Sequence, residues 1–288
     1  MSGHCVLKVK VLFFAGILLA AVFSECLATS LAQKWSMVTR PTTGGIAQSI
    51  GTYNAGCISG AVSVPANGTG YQMMRLSRKR SFGHPDLKHF IEKLGQTAAR
   101  QNLGSLLIGD LGQARGGPTL SGHRSHQSGL DVDIWFLLSK QAASRTLAFN
   151  ERETWSAPSV LAAHSDAIDY NQWSQANEKV LEAAARMPEV DRIFVNPSVK
   201  RELCNRSTSH DWLRKIRPWW KHDDHFHVRL KCPTNNKYCQ GQEPLPPGDG
   251  CDAGLAWWFT EEAKHPVPPK TPPKPLVLPA LCDNVLKE

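Results

Sequence analysis

Ser121-Gly-His-Arg-Ser-His-Gln-Ser-Gly-Leu-Asp-Val-Asp-Ile134 and Lys221-His-Asp-Asp-His-Phe-His227 gather five of the chain's 11 histidines into two short stretches. The first stretch runs from a loop dense in Gly and His into Leu130 to Leu138, which alternates at its start and then becomes wholly apolar. That is the pattern of a strand entering a buried sheet, and it sets Asp131 and Asp133 on one face against Val132 and Ile134 on the other. The second stretch leads into Val228-Arg-Leu230, a further strand. Residues two apart on a strand point the same way, so His225 and His227 present two imidazoles to one side while Phe226 packs on the other. His126 sits on the glycine-bracketed loop that feeds the first strand. Imidazoles and carboxylates from the two stretches would therefore meet if these strands are neighbours.

Outward from these segments, Pro85-Asp86 opens the amphipathic pattern Leu87, Phe90, Ile91, Leu94, a core-facing helix with Gly95 near its end. Leu106 to Ile108 is a short apolar strand that leads into the loop Gln113 to Gly129. Gln172 to Arg186 has helical composition, and Arg192-Ile-Phe-Val195 is a brief strand before Asn196-Pro197. Pro41 to Gly70, rich in Gly, Ser, Thr and Asn, gives loops and short strands. Pro266 to Pro279 is too proline-dense for helix or central sheet. The class is α+β: a single domain whose central, mainly antiparallel sheet carries the histidine cluster, flanked by helices and long loops and stapled by disulfides. At 288 residues with 41% hydrophobic composition the chain can bury one good core.

Residues 1–30 have the character of an export signal. Lys8 and Lys10 precede an apolar run from Val11 to Phe23, which ends in small residues around Ala28, Ser30 and Ala32. Glu25 cuts the run short of the about 20 apolar residues that cross a bilayer, so no stable membrane insertion is expected once the signal is removed. Glu25 before Cys26 also fits poorly with a lipoprotein processing site. Without Cys5 and Cys26, the remaining cysteines are Cys57, Cys204, Cys232, Cys239, Cys251 and Cys282. An even set in an exported chain points to disulfides, although sequence leaves the connectivity open. Cys232 and Cys239 flank a short polar segment and would close a tight loop, distant Cys57 and Cys282 would staple the two ends, and Cys204 with Cys251 remain. The paired C-x2-C spacing of structural zinc clusters is missing.

The net charge of +8 would suit nucleic acid, anionic lipid or an acidic polymer. Export argues against nucleic acid, leaving a wall polymer with peptide carboxylates or simply a solvated basic surface.

A zinc ion with one open position takes three N or O ligands at about 2.0–2.2 Å, which two histidines and one carboxylate supply. The histidine left over is then available for proton transfer beside the metal. Asp131, the decoy for Asp133, would serve as the acceptor that orients a ligand imidazole. His123 and His222 fit a role behind the ligands, a second metal, or plain polar loop positions. Isolated His84, His89, His164, His210 and His265 carry no such pattern and fit ordinary structural roles.

His126-x6-Asp133 together with His225-x-His227 resembles the pattern shared by lysostaphin-type peptidases, D-alanyl-D-alanine peptidases and hedgehog domains, in which the first His, the Asp and the last His bind zinc. More closely, the stretch 121–134, Phe82-Gly-His-Pro-Asp-Leu87 and Asp211-Trp-Leu-Arg-Lys-Ile-Arg-Pro-Trp219 resemble penicillin-insensitive murein endopeptidases, roughly from Ala47 to Trp258. A zinc peptidase domain is expected over 31–264, and the proline density sets a Pro-rich tail over 265–288. The resemblance implies zinc on His126, Asp133 and His227 and places His225 next to the chemistry, while the residues themselves leave His222 and Asp131 as groups behind the ligands or at the substrate. The implied substrate is peptidoglycan, cleaved at the D-alanyl to meso-diaminopimelyl cross-link in the periplasm. Members can hold a second metal through the equivalent of His123 and a D-x2-H pair. Here the comparable stretch, His164-Ser-Asp-Ala-Ile-Asp169, runs in a different order, so one zinc site is expected.

No G-x-S-x-G elbow and no S-x-x-K with K-T-G is present, which argues against serine chemistry. Two alternatives share the metal core: a D,D-carboxypeptidase on the same polymer, and a non-catalytic zinc-containing wall-binding module. The second has no need of an unliganded His225. Oligomeric state is not legible.

Overall fold

The segment Asp131–Trp135 is a strand buried along its whole length, and its neighbour on one side is His225–Leu230, the other histidine-bearing segment. A computed structural model of the chain describes residues 30–120, 124–267, 271 and 275–288. The expected signal up to residue 29, with Cys5 and Cys26, and His123 lie outside the described residues.

The strands of the central sheet are β1 (Asn67–Gly68), β2 (Tyr71–Met73), β3 (Leu106–Ile108), β4 (Asp131–Trp135), β5 (Val190–Val195), β6 (Ile216–Pro218) and β7 (His225–Leu230). Their spatial order is β6-β5-β7-β4-β3-β2-β1. Only β2 with β3 and β5 with β6 run parallel; the other neighbours are antiparallel, so the sheet is mainly antiparallel, as expected.

One face of the sheet is apolar. Val132, Ile134, Phe226 and Val228 pack with Leu87, Phe90, Ile91 and Leu94 of α1 (Pro85–Arg100) and with Val180, Leu181 and Ala184 of α2 (Gln175–Ala185). Burying side chains of this size contributes about 1.5–3 kcal/mol each, which locks the period-2 register of β4 and β7 and commits their polar residues to the opposite face.

Helix α1 continues five residues past Gly95, where the sequence reading places its end. Gly95 is a point of close approach instead: a Cβ there would sit 2.6 Å from the Thr69 carbonyl oxygen and 3.0 Å from the Tyr71 ring. The helix begins as expected at Pro85, and His84 caps it, Nδ1 accepting the Asp86 N–H at 3.1 Å.

Outside the sheet, a hairpin of Gln48–Thr52 and Ala55–Ser59 is pinned from two directions. Cys57 bonds Cys282 at the start of the C-terminal helix Leu281–Lys287, where Trp35, Ile50 and Val285 form a small core. The loop closed by Cys232–Cys239 grips the other side, the Asn236 carboxamide accepting from Ser49 N–H and donating to the Ala47 carbonyl. Cys204–Cys251 ties α3 (Pro197–Arg206) to the segment before Ala253. No helix among the described residues is long and apolar enough to cross a membrane.

Candidate metal centre

Strand pairing makes the site. In the β4–β7 ladder His227 stands opposite Asp133, and Arg229 opposite Asp131, all on the face turned away from α1 and α2. The His227 Nδ1 lies 2.9 Å from Asp133 Oδ1, and His126 Nε2 approaches Asp133 Oδ2 to 3.4 Å. Among the described residues, the ligand atoms of His126, Asp133 and His227 all fall within 4.8 Å of one another, and the three side chains are buried. Donor atoms at zinc distance on a tetrahedron are about 3.3 Å apart, so two nitrogens and a carboxylate oxygen at these spacings fit a zinc ion.

Both imidazoles are oriented by one residue. The Asp131 carboxylate oxygen Oδ1 is 3.0 Å from His227 Nε2, which turns Nδ1 toward Asp133. The Asp131 carbonyl lies 3.2 Å from His126 Nδ1, which turns Nε2 the same way, and Asp131 Oδ2 accepts the His126 backbone N–H at 3.0 Å. His126 adopts φ +69°, a left-handed conformation rare outside glycine. Gly129 three residues on, at φ +73°, passes so close to Ile58 that a Cβ would come within 2.6 Å.

The electrostatics favour a cation. Burial pushes the Asp133 carboxyl up, but the His126 and His225 charges outweigh it and hold it well below the usual carboxylate range. Asp131 is likewise raised by burial and lowered further by Arg229 and His227. Burial would lower His227, yet its bonds to Asp131 and Asp133 push it up to about 9.

His225 borders this cluster on β7. Its Nε2 lies 3.7 Å from Asp133 Oδ1, its Nδ1 2.5 Å from Asp224 Oδ1, and its side chain is 19% exposed where the ligands are sealed. Burial lowers its pKa, but Asp133 and Asp224 prevail and raise it. His222 stands behind it at 4.9 Å between ring centroids, its Nδ1 2.9 Å from the Trp220 carbonyl, and burial pushes it down to about 4.

Residues 49–287 match the family described as penicillin-insensitive murein endopeptidase. The chain belongs to this family. A penicillin-insensitive murein endopeptidase of Klebsiella pneumoniae (strain 342) is 42% identical over 260 residues, 89% of this chain and 92% of its own length. One from Yersinia enterocolitica is 41% identical over 275 residues, 94% of this chain and 97% of its own. One from Salmonella paratyphi A is 41% identical over 264 residues, 91% and 93% respectively. The family match runs beyond Trp258 and takes in the helix Leu281–Lys287 that Cys282 staples.

The acids of the 164–169 stretch are engaged elsewhere: Asp166 pairs with Lys264 at 2.7 Å and Asp169 caps the Asn171 N–H. Neither belongs to a metal-competent group among the described residues. A second such group, His210, Asp249 and Cys251, is ruled out as a thiolate site because Cys251 is in a disulfide.

Sequence reasoning missed Arg229 and Asp224. Arg229 extends the His225, His227 alternation by one more step, and that period was the available signal. Asp224 offered no period, only adjacency to His225.

Proposed function

We propose that the chain is an exported zinc metalloendopeptidase that hydrolyses D-alanyl to meso-diaminopimelyl cross-links of peptidoglycan in the periplasm. The observation that carries the reading is the buried convergence of His126, Asp133 and His227 at zinc-ligand spacing, with the part-exposed His225 beside them. The names of the relatives support the polymer and the peptidase activity, and three bonded disulfides support an oxidising compartment.

Zinc held by His126, Asp133 and His227 would supply Lewis acidity, polarising the scissile carbonyl and bringing the pKa of water down to about 7. The chain's own groups do the rest. Asp131 fixes the tautomer and direction of both ligand imidazoles. His225, with Nδ1 committed to Asp224, would accept at Nε2 the proton lost by the attacking water and pass it to the leaving amine nitrogen as its bond to the carbonyl carbon breaks. His222 stays neutral at cellular pH and walls the site without adding charge. The sequence lacks the S-x-x-K with K-T-G set through which penicillin acylates serine enzymes, which fits a family named for insensitivity to penicillin.

Purified chain incubated with cross-linked muropeptide dimers should convert them to monomers, and chelator should stop the conversion. Release of free D-alanine alone would make it a carboxypeptidase. Chelator-resistant cleavage would remove the metal from the mechanism, and no turnover with zinc bound would leave a wall-binding module.

A further inference from the structure

We propose that Arg229 is a positioning residue of the metal centre, acting through Asp131 on both histidine ligands at once; the inference rests on the zinc reading above. Arg229 lies two residues beyond His227 on β7, so its side chain falls on the same face, directly across the ladder from Asp131. Its Nε donates to Asp131 Oδ1 at 2.6 Å. That oxygen is the one that meets His227 Nε2, while the other carboxylate oxygen and the carbonyl of Asp131 hold the backbone and ring of His126. One acid thus bonds both ligand histidines, and one guanidinium bonds the acid.

Arg229 is itself immobilised. The Tyr53 ring covers its guanidinium at 3.6 Å from the ring centroid, Phe194 lies at 5.2 Å on β5, and the Gln242 side-chain oxygen accepts from Nη1. Stacking between a planar cation and an aromatic face strengthens once water is excluded, and lysine does not reproduce the geometry. Tyr53 is delivered by the turn of the hairpin that Cys57–Cys282 and the Cys232–Cys239 loop pin down. The framework outside the sheet is therefore connected to the metal ligands through one side chain.

The need for a cation at this position follows from charge. Asp131 and Asp133 are two buried carboxylates on one face of one strand, and a buried charge left without a partner is strongly disfavoured. The guanidinium bonds Asp131 on Oδ1, beside the His227 contact, and so keeps it an acceptor for the imidazole instead of a competing ligand that swings to the metal.

Zinc affinity of the purified full chain, read by competition with a chromophoric chelator, tests the assignment together with the absorption spectrum of the cobalt-substituted protein. Arg229→Met should weaken zinc binding about 10–100-fold, the usual effect of losing a group behind a ligand, and should shift the cobalt spectrum. Asp131→Asn should do the same, and the double variant should be no weaker than Asp131→Asn alone, because the arginine acts through the acid. If Arg229→Met does not fold, Tyr53→Leu removes the cover over the guanidinium without touching the ladder and should weaken binding by a smaller factor. Wild-type affinity in Arg229→Met, or strictly additive losses in the double variant, would overturn the assignment. Absence of tight zinc binding by the unaltered chain would instead overturn the zinc reading, and this one with it.

Discussion

Zinc binding should be coupled to the loss of one proton, because His227 lies between two carboxylates. Its Nε2 is 3.0 Å from Asp131 and its Nδ1 2.9 Å from Asp133, and these bonds override the effect of burial to raise the imidazole to about 9. At neutral pH both ring nitrogens therefore carry protons, and Nδ1 must surrender its own before it can bind a metal. The sign is fixed: affinity falls as pH falls below about 9 and levels off above it. One proton corresponds to a tenfold change per pH unit, so lowering the pH from about 8 to about 6 should weaken zinc binding about 100-fold, or ~2.7 kcal/mol. Chelator competition at several pH values measures the slope, and calorimetry in two buffers of different ionisation enthalpy counts the protons released. The metal-free fold should show the opposite trend. His227 gains its partners on folding, so its contribution to stability is complete below its ordinary value of about 6.5 and is lost as pH rises through about 9. An affinity flat with pH over this range, or a proton count near zero, would refute the reasoning.

His126→Ala should lose both metal and activity, measured by elemental analysis beside the dimer assay; a zinc-loaded active variant would refute the ligand assignment. His225→Ala should retain zinc yet lose about 10²–10⁴ in turnover, the range for removing a general acid–base group, whereas loss of metal would mean the two histidines of β7 have exchanged roles. Replacing both Cys57 and Cys282 by Ala opens a cross-link spanning 225 residues, and chain entropy puts the loss at about 5 kcal/mol, the upper end of the usual range, in guanidinium denaturation. A loss under about 1 kcal/mol would show that the hairpin and C-terminal helix dock without the staple.

The alternation of Asp131 with Asp133, and of His225 with His227, was legible because a strand has a period of two and one face of this sheet is buried in apolar side chains. From this the face followed, but not the partner. That His227 meets Asp133, 94 residues away, depends on β4 and β7 being adjacent and in one register, which no local pattern records. Gly95 shows the complementary failure. Glycine that ends a helix and glycine that lets a helix touch the backbone of Thr69 look alike in sequence, since both reflect the absence of a Cβ. His84 was readable only as isolated, because capping through Nδ1 is decided by the geometry of one turn. The disulfides were more accessible. Spacing suggested a tight loop at Cys232 and an end-to-end staple at Cys57 without fixing the connectivity, and the folded chain bonds these two pairs and the remaining Cys204–Cys251.

Backbone strain at the site explains why so much framework surrounds three ligands. His126, Lys221 and His222 all have positive φ, at 69°, 61° and 48°, and such conformations cost about 1–3 kcal/mol each unless their surroundings over-determine them. The supports are specific. Asp131 Oδ2 holds the His126 N–H while its Oδ1 meets His227 Nε2, so one carboxylate both supports the strained turn and orients the second histidine. Asn196 holds the other two: its backbone N–H donates to the His222 carbonyl at 2.8 Å and its carboxamide to the Lys221 carbonyl at 3.0 Å, while its Oδ1 caps α3 at Ser198. The turn that aims His222 and leads into His225 is thereby fastened to a helix that the Cys204–Cys251 bond anchors at its far end. Each histidine of the site is thus oriented by groups whose own positions depend on distant segments, so the constellation forms only when the whole domain has folded, and the unfolded chain presents no assembled metal site to compete for zinc.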